Sequence, residues 1–227
     1  DIVAFTGYKN TAEMLQQHSR VVDQSVRFTA ETDSLNASVL GPDAVPGTPE
    51  FDLYVNEVVR EMTVKAGQKF TAIRSIIAPA AVSADLVQAL ARSLGEIRIG
   101  NPANKEVQMG ALASQGQRDE VRDRVGDLSR EAEVVYGADG TLDVIDADAE
   151  KGAFFAPVVL HCQDPVGSTS VHHVEAFGPV STVLPYENLD EAITLARLGG
   201  GSLAGSIFTN DDGIAENLAL GMAPYHG

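Results

Sequence analysis

The feature that most constrains this chain is an alternation along its length. Apolar runs of four to eight residues alternate with segments whose apolar residues recur at the helical period. Helical segments between strands imply crossover connections, because a parallel strand needs a long return path to the same end of its sheet. The pattern predicts an α/β chain with a largely parallel sheet. Ile2-Val3-Ala4-Phe5 reads as a buried strand closed by Thr6-Gly7, and the residues from Thr11 to about Val22 read as a helix. Val26, Phe28 and Ala30 alternate with Arg27, Thr29 and Glu31, as in a strand with Glu31 on its polar face.

The sharpest helix signal begins at Pro49. Thr48 suits the N-cap, Pro49 the first helical position, and Glu50 the positive end of the helix dipole. Val55, Val58, Val59 and Met62 then fall on one face, and Gly67 can end the helix in the left-handed conformation. Ser75-Ile76-Ile77-Ala78 reads as a strand. The next helix is expected to be capped by Ser83, to bury Leu86, Val87, Leu90 and Leu94, and to stop at Gly95. Residues 115–132 form a charge-rich helix with Val121, Val125 and Leu128 inward. Strands are expected at 133–136, 158–161, 180–184 and 204–208, with a helix from Asn188 to Leu198 and a turn at Gly199-Gly200-Gly201. With no repeat, low-complexity tract or linker, residues 1–227 read as one domain.

Composition narrows the function. Acidic residues outnumber basic ones by 32 to 16, a formal charge of −16, so a phosphate backbone would be repelled and no nucleic-acid partner is expected. A single cysteine, Cys162, excludes an intrachain disulfide framework. No apolar run approaches the ~20 residues that span a bilayer, so no membrane partner is expected. Asp1-Ile2-Val3-Ala4-Phe5 has neither a basic leader nor a starting Met, which suggests a piece of a longer, cytoplasmic protein. Neither a dinucleotide glycine fingerprint nor a phosphate-binding loop of the Walker type is present. His161-Cys162 and His172-His173 carry metal-ligand chemistry without the CxxC or HExxH spacing, so no metal is expected.

Four stretches carry more information in combination. Phe5-Thr6-Gly7 follows a strand, and Glu31 precedes Gly67-Gln68-Lys69-Phe70-Thr71-Ala72-Ile73-Arg74 by about forty residues. Far downstream comes Glu175-Ala176-Phe177-Gly178-Pro179-Val180. Their order and spacing resemble the aldehyde dehydrogenase superfamily, whose motifs run FTGS, ELGG, GQxCxAxxR and ExFGPV. Ile99-Gly100-Asn101-Pro102, Phe155-Ala156-Pro157 and Leu203-Ala204-Gly205-Ser206-Ile207-Phe208-Thr209 are similar to further family segments. The resemblance covers the whole chain but only the middle-to-late half of a family member. It implies the three-layer αβα catalytic domain, with the main dinucleotide-binding half absent. Glu31-Thr32-Asp33-Ser34-Leu35-Asn36 and Ala66-Gly67-Gln68-Lys69 look like one bacterial branch, in phenylacetate and benzoate degradation. That branch oxidises semialdehydes linked to coenzyme A, and some members are fused to an enoyl-CoA hydratase domain.

The resemblance also implies a mechanism. A cysteine thiolate attacks the aldehyde, amide donors hold the oxyanion, hydride passes to NADP or NAD, and a glutamate activates water to release the acid. The general-base position carries over to Glu31, where partial burial would lift a carboxylate toward neutral pH. Glu175 matches the contact to the nicotinamide ribose and Phe177 the contact to its ring. Gly7 matches a close backbone approach to the cofactor, and Gln117 a cofactor-ribose position. Read without the family, Glu31 is a surface acid, Glu175 a helix-end acid and Phe177 a core residue.

Two departures stand against the family pattern. Phe70 occupies the nucleophile position, and phenylalanine has no lone pair with which to attack a carbonyl. Tyr8 stands where the family carries Ser, and its ring would narrow the cofactor cleft. Cys162 lies far from the motif in an apolar run, where a quiet buried thiol is expected. The chain is therefore expected to be a catalytic-domain fragment, inactive as written, whose full-length form is a homo-oligomer. The rival readings are a non-catalytic scaffold that kept the fold and a cofactor binder with different chemistry. Lys65, Lys69 and Arg74 flank the loop and could hold coenzyme A phosphates, or be solvated charges.

Overall fold

The computed structural model describes residues 1–137, 142–200 and 202–226. They fall into two compact units, residues 1–34 and 35–227. Gly201, the last residue of the expected glycine turn, lies outside the described residues.

The smaller unit is a βαβ arrangement. Strand β1 (Ile2–Thr6) and strand β2 (Arg27–Glu31) pair in parallel, Ile2 opposite Arg27 and Thr6 opposite Glu31. The connection holds two helices, α1 (Lys9–Gln16) and α2 (Ser19–Asp23), where one continuous helix was expected. The break comes at His18, whose extended backbone ends α1 and whose Nδ1 accepts the amide of Arg20 at 3.3 Å to cap α2. The second correction concerns β1, which alternates between exposed and half-buried and leaves Ile2 68% exposed. A two-stranded sheet with two short helices cannot cover both its faces.

The larger unit holds six strands in the order β5-β6-β7-β4-β3-β8. Every neighbouring pair is parallel except β5 (Glu133–Tyr136) with β6 (Val158–His161). The remaining strands are β3 (Asn36–Leu40), β4 (Ile73–Pro79), β7 (Val180–Tyr186) and β8 (Gly205–Phe208). On one face α3 (Pro49–Thr63) and α4 (Ala80–Gly95) bury Tyr54, Met62, Leu86 and Leu90 against Ile76 and Val183. On the other, α5 (Gln115–Leu128), α6 (Leu189–Leu198) and α7 (Asp212–Met222) bury Val121, Leu195 and Leu218 against Val39, Ile77 and Leu184. This is the expected three-layer αβα architecture with a mostly parallel sheet.

The caps act where their side chains predict. Oxygens of Thr48, Ser114 and Asn188 accept the amides of Phe51, Gln117 and Glu191 at 3.3, 3.1 and 3.0 Å. Ser83 does not cap: α4 starts at Ala80, directly after the strand-ending Pro79, so Ser83 already sits in the first turn. Its hydroxyl donates back to the Ala80 carbonyl at 3.0 Å. Gly67 does not end α3 either, because the helix stops at Thr63. Lys65 and Ala66 then take left-handed φ values of 55° and 52° ahead of Gly67 at 68°. Strand β3 and helix α7 are elements that the sequence pattern does not predict.

Candidate active site

The segment after α3 is bent before it is packed. Three successive left-handed residues, two of them carrying a Cβ, lead into Gln68, which fixes the turn on both sides. Its Nε2 donates to the Lys65 carbonyl at 2.9 Å, and its Oε1 accepts the Ala113 amide at 2.9 Å. Only glycine fits at position 67. A Cβ there would stand 2.2 Å from the Gly178 carbonyl oxygen, so the first motif loop rests directly on the Phe177-Gly178-Pro179 segment.

Arg74, on β4, binds that contact together. Its side chain is 4% exposed; Nη1 donates to the Gly178 carbonyl at 2.6 Å, Nη2 to the Gly67 carbonyl at 2.7 Å, and Nε to the Glu175 carboxylate at 3.2 Å. Burial pulls the guanidinium down from its ordinary range, and the Glu175 carboxylate, then Glu61, pull it back. The Glu175 side chain is itself only 7% exposed. A buried charge without a partner would cost several kcal/mol, about as much as a marginal fold possesses, so each of these two groups requires the other.

Asn36, at the start of β3, holds the loop from the opposite side. Its Nδ2 donates to the carbonyls of Phe70 at 2.6 Å and Ala72 at 2.9 Å, and its Oδ1 accepts the Ala204 amide at 2.9 Å. The Phe70 backbone is thereby fixed while its ring is 43% exposed. That ring packs on Phe177, centroids 5.6 Å apart and planes tilted by 46°. Phe177 also lies 5.6 Å from the Arg74 guanidinium carbon, and its carbonyl accepts Gln117 Nε2 at 3.0 Å. Asn36 and Thr71 line a cleft of about 460 Å³ with Glu57, Glu61 and Phe208.

The structure thus gathers Phe70, Gln117, Glu175 and Phe177 around Arg74 in the larger unit. Gly7 and Glu31 come together in the smaller one, where the Gly7 amide donates to the Glu31 carbonyl at 3.1 Å. Glu31 ends β2 with an exposed side chain, without the partial burial expected of it. Tyr8 precedes α1 and gives its carbonyl to the amides of Thr11 and Ala12. The supposed basic patch is not a patch: Arg74 is buried and bonded, Lys69 is paired with Glu61, and Lys65 alone is exposed. Cys162 is fully buried, with Sγ 3.2 Å from Ser168 Oγ, and burial pushes its thiol up, away from the reactive thiolate. Among the described residues no group of three or more His, Cys, Asp or Glu is placed to hold a metal ion, and no helix is long and apolar enough to cross a membrane.

Asn36 was missed as a site residue, and Arg74 was read only as a loop charge. A signal exists for Arg74, a charge within the β-rich stretch Ile73-Arg74-Ser75-Ile76-Ile77, where an unsatisfied side chain would be costly, whereas Asn36 sits in the small and polar stretch Asn36-Ala37-Ser38 and carries no such signal.

Comparison with known proteins decides the family. The profile of the aldehyde dehydrogenase family matches residues 1–223. The chain belongs to the aldehyde dehydrogenase family. A 3,4-dehydroadipyl-CoA semialdehyde dehydrogenase of Aromatoleum evansii is 46% identical over all 227 residues, which cover 44% of that relative. Protein MaoC of Klebsiella aerogenes is 42% identical over 120 residues, 52% of this chain and 34% of that protein. Among solved structures, betaine aldehyde dehydrogenase of Staphylococcus aureus in complex with NAD+ superposes with a TM-score of 0.83 at 27% identity. That match covers 98% of this chain and 42% of the other. This aldehyde dehydrogenase chain spans less than half the length of the relatives it matches.

Proposed function

We propose that the chain is the catalytic portion of an NAD(P)-dependent aldehyde dehydrogenase acting on a semialdehyde linked to coenzyme A, with its covalent chemistry disabled at Phe70. The observation that carries the reading is the placement of Phe70 on the loop seated against the Glu175–Pro179 segment, with an aromatic ring where the family pattern has sulfur. The likeness to the Aromatoleum semialdehyde dehydrogenase supports the substrate class.

In this reading Glu31 is the base that takes a proton from water, Gly7 gives the cofactor a close backbone approach, and Glu175 accepts a ribose hydroxyl. Phe177 packs beside the nicotinamide, and Gln117 holds the Phe177 backbone by its 3.0 Å bond and faces the ribose. The site fits the cofactor in one testable respect. A carboxylate has about four lone-pair sites, so an ion pair from Arg74 to Glu175 is compatible with a further donor from a ribose. When bound, the nicotinamide supplies the hydride acceptor. The same loop without a nucleophile also suits the second reading, a non-catalytic assembly domain on this fold.

Restoring the nucleophile separates the two. In the protein carrying Phe70→Cys, exposure to an aldehyde and NAD(P) is expected to give a covalent adduct on residue 70 by intact-mass measurement, absent from the parent. No adduct across a panel of free and CoA-linked semialdehydes would leave the assembly reading.

A further inference from the structure

Phe70 is usually an uneasy residue to leave at a surface, yet here its position is rigidly prepared. Asn36 clamps its carbonyl at 2.6 Å, Phe177 backs its ring at 5.6 Å, and Arg74 in turn fixes the strand, loop and turn beneath Phe177. The ring is backed by Phe177 and still 43% exposed, so part of it is open to a flat ligand, and its fixed backbone lowers the ordering cost of a contact there. The face of a benzene ring carries negative electrostatic potential and attracts flat cations. Of the loop's three basic side chains, two are already engaged elsewhere, since Lys69 is paired with Glu61 and Arg74 is buried, and Lys65 is exposed.

We propose that Phe70 is a stacking platform for the oxidised nicotinamide ring, which carries a positive charge, and that the site therefore holds oxidised cofactor in preference to reduced. This rests on the reading of Glu175 and Phe177 as a cofactor wall and adds a role that the missing nucleophile leaves open. The two redox states share ribose and phosphate, so a ribose contact cannot tell them apart, whereas an aromatic platform favours the pyridinium by its charge.

The test is a ligand-observed NMR titration of the protein with nicotinamide mononucleotide, oxidised and reduced, and with ribose 5-phosphate. Oxidised mononucleotide is expected to bind about fivefold more tightly than reduced, the scale of an exposed cation–π contact. Phe70→Leu, which keeps apolar bulk, is expected to erase that preference. Phe70→Trp is expected to keep or increase it. Equal affinities in the parent, or a preference surviving Phe70→Leu, overturn the platform, while binding of both mononucleotides by the parent leaves the cofactor wall standing. Absence of binding by all three ligands overturns both.

Discussion

Arg74 is the residue on which the local architecture turns, because it satisfies three acceptors on two segments a hundred residues apart in sequence. Arg74→Ala should cost about 3–5 kcal/mol, since it leaves the Glu175 carboxylate buried with its cation removed. Glu175→Gln in the Arg74→Ala background should recover part of that loss, and urea midpoints of the four proteins in the cycle measure it. Strict additivity would show that the pair is not coupled. Gly67 offers an independent check. Gly67→Ala meets a left-handed φ of 68° and a carbonyl oxygen 2.2 Å from the new Cβ, so a loss of at least about 2 kcal/mol is expected. A neutral result would mean that the loop does not rest on Gly178. At this scale the motif positions were legible, because glycine and acid spacing survives in a bare sequence. The partners of the two clamping side chains were not. Asn36 and Arg74 do their work through carbonyls contributed by residues 67, 70, 72 and 178, and backbone acceptors leave no mark on the sequence that offers them.

Among the elements, the helices show which signals are local. Thr48 and Asn188 were readable as caps because the bond they make spans only three residues. Thr48→Ala and Asn188→Ala should each cost about 1 kcal/mol, and the two should add, since they lie on opposite faces of the sheet. Thermal or urea unfolding of the single and double variants checks this, and a double loss well below the sum would reject independence. Ser83 shows the limit of the same logic. A good capping side chain does not start a helix when Pro79 has already brought the chain out of β4 and into it. Strand β3 escaped for a different reason. All five of its residues are buried, but Asn36, Ala37 and Ser38 are small or polar, so no apolar run announces it. What makes it a strand is tertiary: it lies between β4 and β8, and Tyr54 donates to the Ser38 carbonyl at 2.8 Å. Helix α7 has a sound cap at Asp211, whose oxygen accepts the Ile214 amide, yet its apolar stripe buries only Leu218 and Met222.

For the molecule as a whole, charge and burial set opposite trends with pH. A formal charge of −16 means that added protons relieve self-repulsion, which favours the folded state on mild acidification. Burial acts the other way through His161 and His172. Desolvation pushes both imidazoles below the ordinary value of 6.5. Nε2 of His172 donates to the Pro165 carbonyl at 2.6 Å, and that of His161 is buried with no hydrogen-bond partner among the described residues. Their depressed values mean that the unfolded chain binds these protons more readily. The stability they confer is complete above about pH 6.5 and is lost as pH falls from there toward the folded-state values. A second loss follows below about pH 4.5. There Glu131 is held low by the Ser170 hydroxyl and the Ser170 and Thr169 amides, and Asp148 by its bonds from Lys151 and Glu150. At 0.15 M salt the repulsion between distant surface charges is largely screened, whereas the buried imidazoles are not. Urea midpoints at that salt should therefore fall as pH drops from 7.5 to 5. In His172→Gln, which keeps a donor for the Pro165 carbonyl and cannot titrate, the slope should be visibly shallower. A midpoint that rises on acidification would show the net charge to outweigh the buried histidines, and an unchanged slope in the variant would remove His172 from the account.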